Sequence, residues 1–155
     1  MSRFDPMAIV AALERQRVAY VLIGDLAGVL HGTDLLARRV EIVPSLKSEN
    51  IQRLEQALAD LGVTDRTSIV GLGQRRALTI TTPAGELGFT PEPPGSAGYP
   101  DLRRAAERQP LGRGLRPAVA SAPDLVRTLT GAHDPALGSR LRRLMELEQT
   151  LTPDM

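Results

Sequence analysis

Residues Tyr20 to Pro44, YVLIGDLAGVLHGTDLLARRVEIVP, constrain the fold of this chain more than any other stretch. Tyr20 to Ile23 is an unbroken apolar run, too short for a buried helix and suited to a strand covered on both faces. Gly24 interrupts it. Asp25 is placed to cap the helix that follows, which carries Leu26, Val29 and Leu30 and stops at His31-Gly32. After a loop, Arg39 to Pro44 reads as a second strand. Strand alternation sets Arg39 and Glu41 on one face and Val40 and Ile42 on the other.

The rest of the chain fits a mixed sheet with helices packed on it. A helix is predicted over 5–17, with Pro6 in its first turn and Ile9, Val10 and Leu13 at helical spacing. Ser45 or Ser48 caps another, which runs to Leu61 with Ile51, Leu54, Leu58 and Leu61 on one face and ends at Gly62. Short strands are expected at 67–70, 76–82 and 86–90, with a turn at Pro83-Ala84-Gly85. PEPPGSAGYP, 91–100, is too rich in Pro and Gly for regular structure. A helix over 101–108, a strand over 116–120 and helices over 124–132 and 135–149 complete the pattern. The order implies one α/β domain over 1–155, of the α+β mixed-sheet kind, with C-terminal helices from about 122.

Composition narrows the function classes. At 42% hydrophobic but only 3% aromatic, the core has to be aliphatic. A formal net charge of +1 gives no electrostatic reason to expect a nucleic acid or an anionic membrane as partner. The absence of cysteine removes disulfides, thiolate nucleophiles and cysteine-ligated zinc. No apolar run reaches the roughly 20 residues that span a bilayer, and the first residues lack a signal-peptide core. The expectation is a cytoplasmic protein. Lys47 is the only lysine, an arginine bias that points to a GC-rich, bacterial genome.

Three blocks resemble the minimal nucleotidyltransferase domains of the DNA polymerase β superfamily. The first is the opening stretch, similar to the family's G-G/S-x-A-x-x-L-H-G element followed by a D-x-D strand. The second, TPAGELGFTPEPPGSAGY, resembles the strand bearing the third carboxylate and its Gly-rich loop. The third, VASAPDLVRTLTGAHDPALGSRLRRLMEL, resembles the closing V-A-S-x-x-D-L-I segment. The resemblance implies a nucleotidyltransferase-like fold. It also implies a site where carboxylates hold magnesium, which bridges the phosphates of a nucleoside triphosphate.

Residue by residue, that site departs from the family pattern. Arg39 stands at the first carboxylate position, Glu41 at the second and Gly88 at the third, with Glu86 two residues earlier on the same predicted face. Arg39 can neutralise the two glutamates and take the place of the metal by charge. Asp25 replaces the Gly or Ser after Gly24, so it competes with phosphate for the helix N–H groups and adds a negative charge. Leu129, Asp134 and Ala136 stand where the family has Lys, Arg and Lys.

The favoured expectation is a degenerate, non-catalytic member that binds a ligand or protein partner through Gly24, Asp25, Arg39, Glu41 and Glu86. It needs no cofactor, and self-association stays open. The alternative is an active, divergent transferase using Glu41 and Glu86 for magnesium, in a toxin–antitoxin or defence setting.

Other features read more plainly. His31 and His133 suit helix ends better than ligand or metal contacts. The pairs Arg38-Arg39, Arg75-Arg76 and Arg103-Arg104 read as solvated surface unless the fold gathers them on an anion. Gly71-Leu72-Gly73 suits a hairpin turn, and loop 91–100 a lid, a partner segment or a passive connection.

Overall fold

Asp5 begins the first helix: its carboxylate accepts from the Ala8 N–H at 3.1 Å, and Pro6 takes the position where a missing N–H costs nothing. Ile9, Val10 and Leu13 then fall on one buried stripe. The structure is a computed structural model and describes residues 4–63, 76–130, 143, 144 and 146.

Within it the elements run α1 (Pro6–Arg15), β1 (Tyr20–Ile23), α2 (Gly24–Leu30), β2 (Arg39–Pro44), α3 (Ser48–Asp60), β3 (Leu78–Thr82) and β4 (Gly85–Phe89). They continue with α4 (Tyr99–Leu102), β5 (Glu107–Arg108), β6 (Ala118–Val119) and α5 (Ala122–Thr130). The protein is α+β, as its pattern implies. No helix among the described residues is long and apolar enough to cross a membrane.

One mixed sheet holds all six strands, in the order β3-β4-β2-β1-β6-β5. β2 lies at its centre, antiparallel to β1 and parallel to β4. The registers are Ile23 against Glu41, Glu41 against Gly88, and Arg39 against Glu86. Alternation therefore sorts the side chains into two faces. Leu22, Val40, Ile42, Leu87, Phe89 and Ile80 point to the face that α1 and α3 cover, and all are buried. Val21, Ile23 and Val43 point the other way, where α2 lies against β1 and β2 and also meets α5. Beyond α2 this second face is polar: Arg39, Glu86, Thr79 and Thr81 are exposed on it.

Asn50 is the buried polar residue that ties α3 to the sheet. Its Nδ2 donates to Ser45 O at 2.8 Å and to Ala19 O at 2.9 Å, and its Oδ1 accepts from Ala19 N at 2.7 Å. Buried amides this fully paired specify one docking geometry. Tyr20 is buried beside α1, and its hydroxyl donates to Glu14 Oε1 at 3.2 Å. Burial, and then the Glu14 carboxylate, push the phenol's pKa well above its ordinary value.

Three expectations need correction. The helix predicted over 101–108 ends at Leu102, because Glu107 and Arg108 pair with Val119 and Ala118 and extend the sheet edge. Tertiary pairing here overrides helix-favouring residues. Asp25 does not cap α2: the N-cap position is Ile23, and Asp25 sits within the first turn. α3 starts after Lys47, with no side-chain cap from Ser45 or Ser48. The strand expected at 67–70, Gly71–Gly73, Arg75, and the chain at 131–142, with His133, Asp134 and Ala136, lie outside the described residues.

Candidate functional site

The end of β1 and the start of β2 bring Gly24, Arg39 and Glu41 together. Arg39 and Glu41 are two residues apart on β2, so they share a face. Arg39 Nε donates to Glu41 Oε1 at 2.7 Å. The arginine side chain is 47% exposed and the glutamate 24%, so the pair sits at the rim of the polar face and not in the core.

The carboxylate of Glu41 lies in space that Gly24 leaves open. A Cβ on Gly24 would stand 2.8 Å from Glu41 Oε2, and Gly24 also has φ of +76°, a conformation costly for other residues. On the other side, a Cβ on Gly88 would come within 3.4 Å of Glu41 Cγ. Gly88 is buried, and the stem of Glu41 lies at contact distance from it.

Glu86 lies opposite Arg39 in the β2–β4 register, on the same face. It is exposed, and its carboxylate meets no partner among the described residues. Asp25 lies in the first turn of α2, one residue beyond Gly24. The structure therefore brings Gly24, Arg39 and Glu41 into one cluster, with Gly88 beside them. Glu86 stands across the strand from this cluster, and Asp25 stands on the helix behind it.

The donor set does not suit magnesium. A hard divalent cation takes oxygen ligands at close range, several of them charged. Here one carboxylate oxygen is engaged by a guanidinium, and the residue paired with Glu41 is a glycine. Among the described residues no group of three or more His, Cys, Asp or Glu is placed to hold a metal.

Other singled-out residues have structural places. His31 ends α2, and its Nε2 is 2.7 Å from Ala120 O, so that nitrogen carries the proton and donates. It fastens the end of α2 to the chain leaving β6. Leu129 packs against the core.

Sequence reasoning missed a second concavity at the far end of the strands. A cleft of about 850 Å³ opens between Pro44–Arg53 on one side and Pro91–Arg104 on the other. None of Gly24, Asp25, Arg39, Glu41 or Glu86 lines it. Loop 91–100 thus borders this cleft. The Arg103-Arg104 pair was visible in the sequence, but Lys47 and Arg53 are 50 or more residues upstream and share a cleft with it only through the β2–β4 pairing.

The cleft wall is held by ion pairs. Asp101 Oδ2 accepts from Ala97 N at 2.9 Å, and its Oδ1 accepts from Arg127 at 3.1 Å. Arg127 also reaches Asp124 at 3.1 Å. The Ala97 N–H, and then Arg127, hold the Asp101 carboxyl below its ordinary pKa. No protein-family model matches the chain, and no curated protein matches it closely.

Proposed function

We propose that this chain is a degenerate nucleotidyltransferase-like protein that does not transfer nucleotides and instead binds a ligand or a protein partner through the polar face around Arg39, or by self-association. The observation that carries this reading is the 2.7 Å contact between Arg39 and Glu41, with the carboxylate lodged against Gly24. In this reading the guanidinium supplies the positive charge that a metal supplies in active members, so the carboxylate is neutralised without a cation. Asp25 in the first turn of α2 adds negative charge where a triphosphate would need N–H groups. The resemblance in the sequence supports the fold family. The residues at the carboxylate positions support the loss of activity.

Calorimetric titration with ATP and GTP, with and without magnesium, tests it. The expected result is no binding component that depends on magnesium. A magnesium-dependent component abolished by Glu41→Gln and Glu86→Gln together would overturn the reading in favour of a divergent transferase.

A further inference from the structure

We propose that the cleft between the start of α3 and the segment after β4 is a binding site for a small phosphorylated molecule, taken up without a metal ion. This inference stands apart from the reading of the Arg39 face and does not depend on it. Lys47, Arg53, Arg103 and Arg104 all line the cleft. Two carboxylates, Glu49 and Glu92, line it as well. Among the described residues none of the four cations has a carboxylate within ion-pair distance, while Arg53 donates to Arg17 O at 3.4 Å. Four cations against two carboxylates leave the concavity with an excess of positive charge that a bound anion offsets, and guanidinium groups match phosphate oxygens in a bidentate way.

The volume and the walls suit a small ligand. About 850 Å³ falls within the roughly 300–1,000 Å³ usual for small-molecule sites. Both walls are fixed before any ligand arrives. Asn50 uses its carboxamide on Ala19 and Ser45, which pins the start of α3. Asp101 grips Ala97 N and Arg127, which pins the segment carrying Arg103 and Arg104. Pre-organisation of this kind lowers the entropic cost of binding. Tyr99, half-buried, lines the cleft together with Pro91 and Pro100, an apolar stretch of wall for the part of the ligand that bears no phosphate. A net charge of only +1 favours a compact ligand over a long polyanion.

The test is calorimetry on the full chain in EDTA, with sodium tripolyphosphate and ATP as probes. Binding of tripolyphosphate is expected. The Lys47→Ala/Arg104→Ala double variant should weaken it by about tenfold or more, whereas Arg116→Ala, at an exposed arginine outside the cleft, should leave it unchanged. Both substitutions of the double variant are at exposed positions, and circular dichroism checks that it folds. Equal affinity for the two probes assigns recognition to phosphate alone. Tighter ATP binding that is lost in Tyr99→Ala assigns a nucleotide. Three results overturn the proposal: no heat with either probe, equal weakening by Arg116→Ala, or tighter binding of a single-stranded oligonucleotide than of tripolyphosphate.

Discussion

Asn50 pairs with the main chain of Ala19 as a neighbouring strand would: its Oδ1 accepts from Ala19 N at 2.7 Å while its Nδ2 donates to Ala19 O at 2.9 Å. The same Nδ2 reaches Ser45 O, so one side chain joins the start of β1, the end of β2 and α3. Asn50→Ala leaves Ala19 N and two carbonyls without this partner at a buried place. The expected loss is about 2–3 kcal/mol in urea unfolding. Asn50→Asp keeps the acceptor but sets a carboxylate against two carbonyls, and it should cost more at neutral pH than at acidic pH.

Gly24 is where the Arg39 cluster meets the backbone. Gly24→Ala imposes φ of +76° on a residue with a Cβ and drives that atom toward Glu41. The backbone term alone is about 1 kcal/mol. The displaced glutamate should also release Arg39. Thermal unfolding reads the first effect, and guanidinium NMR of Arg39 reads the second.

Arg39 sets the charge of the polar face. Arg39→Asp replaces the guanidinium with a carboxylate two residues from Glu41 on the same face. Manganese binding, followed by paramagnetic broadening, should appear in this variant and be at least about tenfold weaker in the parent chain. Stability should change by less than about 1 kcal/mol, as expected for an exposed pair.

Asp101 gives a pH signature with a defined sign. Its native pKa lies below its unfolded one, so the native state holds the carboxylate more firmly. The stabilisation is present above the unfolded carboxylate pKa and is lost as pH falls through the native one. Urea midpoints measured from neutral to strongly acidic pH should fall less steeply for Asp101→Asn than for the parent. At neutral pH the variant should be the less stable of the two.

Much of the frame was legible because it rests on local signals. The apolar run Tyr20–Ile23, the alternation in β2, the periodicity of α3 and the Pro-Ala-Gly turn before β4 each carry their own evidence. The Arg39–Glu41 contact was legible too, since it needs only a strand and two residues of spacing. What escaped were relationships made by the assembled sheet. Glu107 and Arg108 look helical until β6 takes their backbone groups. Asp25 looks like a cap until the helix is seen to start at Gly24, two residues before a cap at Asp25 would place it. Lys47 and Arg104 look like scattered surface charge until β2 and β4 align their ends. Glu86 was placed on the correct face by alternation, but no local signal tells that it stays exposed while Glu41 is drawn against Gly24.

The cleft also has a place in time as the chain is synthesised. One wall, Pro44–Arg53, leaves the ribosome well before the other, Pro91–Arg104. The two meet only after β4 has docked beside β2. The concavity is therefore a late product of assembly, absent from any shorter nascent chain. A molecule seated there would act as a seal on completed folding, bound only by chains that have closed the centre of their sheet.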